Sequence, residues 1–122
     1  MNPHMLTKVR SKKIMSAASG KECTVRISSF IPGQTCSGAN TVIGAHLPVS
    51  GKGVSTKVTD MAVAFCCFNC HAILDRVDVR AAEYIEKNYP AAAAMRLVQA
   101  LVETHAQLIE AGIIVVPDGE LI

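Results

Sequence analysis

Residues 66–75 read Cys-Cys-Phe-Asn-Cys-His-Ala-Ile-Leu-Asp and hold three of the chain's five cysteines, one of its four histidines and an acid. Cys67 and Cys70 are separated by two residues. That gap lets both thiolates reach one ion while the intervening amides point at the sulfurs. Cys66 and Cys70 form an alternative pair, and Cys67 has the better spacing. His71 follows at once and Asp75 lies four residues later. On a helix beginning near Cys70 the two sit one turn apart on the same face. Two thiolates do not close a zinc site, so the fold has to bring two more ligands to this stretch. Cys23 and Cys36, with twelve residues between them, are the candidates, and four thiolates make a closed tetrahedral zinc centre. An odd cysteine count fits four ligands and a spare better than a disulfide framework.

The length, 122 residues, predicts one domain over 1–122, with residues 1–5 disordered. Half the residues are apolar but only 4% are aromatic and none is Trp, so the core is Ala, Val, Ile, Leu and Met. A core of that size gains from a structural metal. No apolar run approaches the roughly 20 residues that span a bilayer, and no membrane partner is expected. The basic N-terminus lacks the apolar stretch of a signal peptide, so a cytoplasmic chain is expected, and there paired cysteines more often mean metal than disulfide. Charge is divided unevenly. Residues 1–60 hold eight Lys/Arg against Glu22 and Asp60, and residues 61–122 hold four against eight acids. A basic first half suggests an anionic partner such as nucleic acid. A solvated basic helix with no partner is the competing explanation.

Leu6–Ala18 carries Lys8, Arg10, Lys12 and Lys13 between apolar residues and predicts a short amphipathic helix that Gly20 stops, its basic face suited to a phosphate backbone. Cys23–Ile27 predicts a strand, residues 28–40 a loop, and Thr41–Leu47 a strand with His46 near its end. The loop from Pro48 to Thr59 holds Lys52 and Lys57 among glycines but lacks the order of a P-loop. Its lysines suit a phosphate contact. Asp60–Cys66 predicts a second, buried strand. Val79–Asn88 predicts a helix, and Ala91–Ala111 another, with Pro90 in its first turn, Gly112 as its stop and Met95, Val98, Leu101, Val102, Leu108 and Ile109 as core. His105 is expected to be exposed, and the tail 113–122 adds a strand or packs loosely.

The order Ala45-His46, Asp60, Cys67-x-x-Cys70-His71 resembles the HNH, or ββα-metal, nucleases. More narrowly, Gly20–Ile27, Ala45–Leu47, the Gly-Lys-Gly loop with Lys57, and Cys67-x-x-Cys70-His71-x-x-x-Asp75 are similar to the small phage and prophage nucleases of the YbcO type, over roughly residues 8–115. The resemblance implies that His46 is the general base, that Asp60 stands at the position of the family's Asn, and that His71 binds the catalytic ion. The chain departs from the HNH pattern in carrying Ala45 where an acid often precedes the base, Asp60 for Asn, and Asp75 where a second helix histidine is usual.

Phosphodiester hydrolysis gives this order a reason. A neutral imidazole takes a proton from water near neutral pH, and a divalent ion relieves charge on the phosphate and the leaving oxygen. His46, Asp60 and His71 are therefore the expected catalytic set, with Asp60 orienting His46 or lying close to the ion. His71 and Asp75 would hold Mg²⁺ or another divalent ion, and Cys23, Cys36, Cys67 and Cys70 a structural Zn²⁺. Lys8, Arg10, Lys12, Lys13, Lys52 and Lys57 are the expected DNA contacts. The expected fold is α+β: an HNH-like treble-clef ββα core around zinc, a basic N-terminal helix and two C-terminal helices. The expected activity is a DNA endonuclease of phage DNA recombination or processing in a bacterial cytoplasm, with a homodimer as one assembly. Three rivals remain. A zinc-stabilised DNA-binding module has no need of His46. A c-type haem protein would use Cys67-x-x-Cys70-His71 but requires export, and a thiol redox protein would want a βαβ unit around its CxxC.

Overall fold

The structure, a computed structural model, describes residues 7–49 and 58–122. Residues 1–5, expected to be frayed, and Lys52 and Lys57 lie outside the described residues. The elements are α1 (Lys12–Ser16), β1 (Ile43–His46), β2 (Val63–Cys66), α2 (Phe68–Leu74), α3 (Val79–Asn88) and α4 (Pro90–Glu110), with 3-10 turns at Ile27–Phe30, Ala39–Thr41 and Asp60–Ala62. The result is a mixed α+β unit whose order at the centre is strand, strand, helix.

β1 and β2 are antiparallel, with Ile43 opposite Cys66 and His46 opposite Val63. A two-stranded ribbon has little stability of its own in water. Here β2 is buried along its whole length, α4 packs on it, and the main chain at Thr24 and Val25 closes on it through N–H bonds of 2.8 and 3.3 Å to the Phe65 carbonyl. Phe65 is the large side chain at the middle of this core, with Val25, Val63 and Leu108 around it.

Several elements differ from the sequence expectation for identifiable reasons. The N-terminal helix is shorter, because Ser11 caps it with its hydroxyl 3.2 Å from the Ile14 amide, and residues before Ser11 pair with the chain at 59–60 instead. Lys8 and Arg10 therefore lie on an extended segment, while Lys12 and Lys13 are helical. All four are exposed. No strand forms at Cys23–Ile27. Arg26 is left-handed (φ 49°) and turns the chain so that its own amide meets the Cys23 sulfur. α2 starts at Phe68, earlier than expected, because the Cys67 sulfur accepts the Cys70 amide and acts as its cap. α3 has the expected bounds. On α4 the buried stripe is Ala100, Thr104 and Leu108, while Met95, Val98 and Val102 are exposed and Leu101 and Ile109 half-buried. Small residues face inward because β2 lies close. His105 is not exposed either: it is half-buried, with its Nε2 2.8 Å from the Met61 carbonyl oxygen. The tail after Gly112 adds no strand.

A polar seam binds α4 to the metal-side loop. The hydroxyls of Thr24 and Thr104 lie 2.9 Å apart within the core and both reach the Phe65 amide. Glu103 takes Arg26 at 2.7 Å and Arg96 at 2.5 Å, and Arg96 also donates to the Thr24 carbonyl at 3.1 Å. Burial alone would raise the Glu103 carboxyl, but hydrogen bonds from Arg96, Arg26 and Gln99 outweigh it and hold it below the usual range. A carboxyl lowered in the folded state stabilises the fold above its unfolded pKa of about 4.3, and that contribution is lost as pH falls through the lower native value. Melting temperature should therefore fall more steeply for the parent than for Glu103→Gln as pH drops from about 5 through the unfolded carboxylate range toward lower values. Parallel thermal melts over that range check it, and parallel curves would remove Glu103 from the acid response.

Candidate metal centre and catalytic site

Cys23, Cys36, Cys67 and Cys70 offer four sulfurs that all lie within 4.8 Å of one another, the one such group of three or more His, Cys, Asp or Glu ligand atoms among the described residues. They come from three places: the turn before Arg26, the 28–40 loop, and the start of α2. No pair is bonded as a disulfide. The Cys36 and Cys70 sulfurs are 3.8 Å apart. A tetrahedral zinc with Zn–S near 2.3 Å requires an S···S edge of about 3.8 Å. The surroundings are those of thiolates. The amides of Arg26 and Cys67 point at Cys23 at 3.4 and 3.3 Å, the Ser28 amide and hydroxyl at Cys70 at 3.4 and 3.2 Å, and the Cys70 amide at Cys67 at 3.5 Å. Such outer bonds orient metal-bound sulfur.

Without an ion these sulfurs do not ionise together. Hydrogen bonds from Cys66 and Cys70 push the Cys23 thiol down, the bond to Cys23 and burial push Cys70 up, and burial with the nearby charges pushes Cys36 up to about 12. The Cys23 sulfur thus opposes ionisation of Cys36 and Cys70, and a divalent cation would let four thiolates share one centre. Donor type, edge length and outer bonds all fit zinc. Cys66, the alternative partner of Cys70, is fully buried and lies outside the four. Because the Cys67 and Cys70 sulfurs turn inward to Cys23 and Cys36, they are not presented for covalent attachment of a haem.

At the far end of the ribbon, His46 closes β1 with its Nε2 2.9 Å from Asp60 Oδ1. The Asp60 side chain is 7% exposed and that of His46 31%, so the acid is inside and the imidazole reaches out. Asp60 Oδ2 accepts the Ser11 amide at 2.7 Å, and the Asp60 amide donates to the Val9 carbonyl at 2.8 Å. Burial would raise this carboxyl, but the Ser11 amide, the His46 imidazole and the nearby Arg10 charge prevail and hold it below the usual carboxylate range. An ionised carboxylate only accepts, so His46 Nε2 carries the hydrogen and the lone pair of the neutral ring is on Nδ1. The dyad opens on a cavity of about 670 Å³ that Arg10, Lys12 and Ser16 also line. Ala45, the neighbour of His46 on β1, is buried in the hydrophobic core. Ser11 belongs to this site and sequence reasoning missed it. Its signal was a serine three residues before the first buried residue of the helix, Ile14.

His71 and Asp75 do meet on α2, Nε2 to Oδ2 at 2.9 Å, both partly exposed. No third His, Cys, Asp or Glu ligand joins them among the described residues.

A family model described as "Putative nuclease YbcO" matches residues 12–107. The chain belongs to that family. The YbcO description names an enzyme class that acts on nucleic acid. The matched span includes the four clustered cysteines, the His46–Asp60 dyad, His71, Asp75, Lys12 and Lys13, while Lys8 and Arg10 precede it. No curated protein and no solved structure matches the chain. No helix among the described residues is long and apolar enough to cross a membrane.

Proposed function

We propose that this YbcO-family chain is a metal-dependent DNA endonuclease of the HNH type, with a treble-clef ββα core around a structural zinc. The observation that carries the proposal is the His46–Asp60 dyad at the mouth of a cavity lined by Arg10 and Lys12. A nuclease needs an imidazole held in one tautomer, an anion-attracting wall and room for a phosphodiester, and all three lie together here.

In the proposed reaction the neutral His46 accepts the proton of the attacking water at Nδ1. Asp60 holds the ring through Nε2–H and stabilises the imidazolium that forms. Arg10 and Lys12 attract the phosphate backbone, with Lys8 and Lys13 extending the basic track and Lys52 and Lys57 as further candidates. His71 and Asp75 would hold Mg²⁺ or another divalent ion, which retains several waters and takes few protein ligands. Such an ion supplies Lewis acidity at the phosphate and relief of charge on the leaving oxygen. The setting proposed is phage DNA recombination or processing in the cytoplasm of a bacterial host. Nothing in the proposed chemistry requires a homodimer.

The test is plasmid cleavage by purified protein that retains its zinc, with Mg²⁺, Mn²⁺ or Zn²⁺ added after dialysis. Ion-dependent nicking is expected. No cleavage with any ion, together with salt-dependent DNA shifts, would replace the endonuclease with the non-catalytic zinc-stabilised DNA-binding module. In either case the basic track predicts salt dependence. Replacing Lys12 and Lys13 by Ala should flatten the slope of log K against log [salt] by about one for each phosphate that the protein no longer neutralises. An unchanged slope would take these lysines off the DNA.

A further inference from the structure

His105 lies on α4, away from the cavity, and its Nε2 is 2.8 Å from the carbonyl oxygen of Met61. A carbonyl only accepts, so Nε2 bears the hydrogen, as it does both in the Nε2–H tautomer and in the imidazolium. Met61 directly follows Asp60 in the 3-10 turn Asp60–Ala62. On its other flank this turn is fastened by residues 9–11: the Val9 amide donates to Thr59 Oγ1 at 3.0 Å, the Asp60 amide to the Val9 carbonyl at 2.8 Å, and the Ser11 amide to Asp60 Oδ2 at 2.7 Å. The Ala62 carbonyl accepts the Leu47 amide at 3.0 Å, which fixes the turn against the residue after His46. α4 reaches the turn through His105.

We propose that His105 is a positioning residue for the His46–Asp60 dyad. By holding the Met61 peptide it sets the direction from which the Asp60 carboxylate meets His46 Nε2, and so selects the tautomer that leaves Nδ1 as the base. The chemical consequence rests on the reading of His46 as general base, while the positional one does not. Both Asp60 oxygens are already committed, Oδ1 to His46 and Oδ2 to Ser11, so the carboxylate has no spare geometry with which to absorb a shift of its backbone. Displacements of about 1 Å in a catalytic constellation cost up to about 10²-fold in rate. Arg10 and Lys12 line the same cavity whatever stands at 105, so the charge around the dyad stays constant.

The test compares His105→Gln with His105→Asn. Gln places an amide N–H near the position of Nε2 and can keep the bond to Met61, whereas Asn is too short. Expected for Asn is a fall in kcat of about ten-fold with KM little changed, and for Gln near-parental kcat. The second readout needs no activity: nitrogen-15 NMR of the His46 ring, assigned by its loss in His46→Ala. The Nε2–H tautomer is expected in the parent and in Gln, and a mixture with Nδ1–H in Asn. Equal kcat and equal tautomer in both variants would overturn the proposal, as would equal impairment in both. If the parent cuts no DNA but the tautomer still shifts in Asn alone, the nuclease reading fails and the positioning role stands.

Discussion

Cys70→Ser unfolds the chain. Cys70 is fully buried, lies in the first turn of α2, and stands 3.8 Å from Cys36 with the Ser28 amide and hydroxyl turned to its sulfur. Structural zinc sites contribute on the order of 10–16 kcal/mol of apparent binding free energy, which is also folding free energy. Whole domains are stable by about 5–15 kcal/mol, so losing the ion removes as much as the fold has. The rest of the architecture offers little reserve: one two-stranded ribbon and a core with few aromatics. A chelator strong enough to strip zinc should have the same effect as the substitution. Acidification should too, because protons compete for sulfurs that ionise together only around a cation. Cys66→Ala is the control, since Cys66 lies outside the four: it should keep one zinc and lose only the stability expected of a small cavity, roughly 1–2 kcal/mol. Native mass spectrometry for the ion and far-UV circular dichroism for the fold read both outcomes. A Cys70→Ser protein that melts with the parent would show that the four sulfurs hold no structural metal.

His46→Ala leaves the fold intact and lowers cleavage by about 10²–10⁴-fold, the usual worth of a positioned acid–base group. His46 is a partly exposed strand end outside the thiolate centre, so its loss should not touch zinc content. Asp60→Ala is expected to be the more complex change. It removes the partner of His46 and also the acceptor of the Ser11 amide, so the segment carrying Arg10 loses one of its fastenings. Cleavage and DNA affinity should fall together in Asp60→Ala, whereas affinity should hold in His46→Ala. Equilibrium DNA binding beside single-turnover cleavage separates the two. Equal affinities for Asp60→Ala and the parent would show that the Asp60–Ser11 bond plays no part in docking the basic segment.

How much of this was legible in the sequence follows from the physics of each part. The four-cysteine set could be read because a CxxC needs two more thiolates to close a tetrahedron, and only Cys23 and Cys36 stand outside residues 66–70. α3 was expected over Val79–Asn88 and has those bounds, and the Asp78 side chain that caps it was not singled out in the sequence. The strand expected at Cys23–Ile27 was not correct, because pattern alone does not show that Arg26 must turn left-handed to aim an amide at sulfur. On α4 the expected core residue Leu108 is buried, but Met95, Val98 and Val102 are exposed, because hydropathy favours them whereas close approach to β2 favours Ala100 and Thr104. His46 with Asp60 was foreseeable because their order before the CxxC resembles the HNH pattern. Ser11 and His105 were not, since Ser11 reaches the Asp60 carboxylate 49 residues away through its own amide, and His105 reaches a main-chain carbonyl 44 residues away.

The most direct measurement is single-turnover cleavage of DNA by the parent and His46→Ala, each shown by native mass spectrometry to carry one zinc, with a divalent ion added. Cleavage by the parent and a loss of about 10²-fold or more in the variant is the predicted result. Equal cleavage by both zinc-loaded proteins would contradict it, and would take the chemistry away from His46.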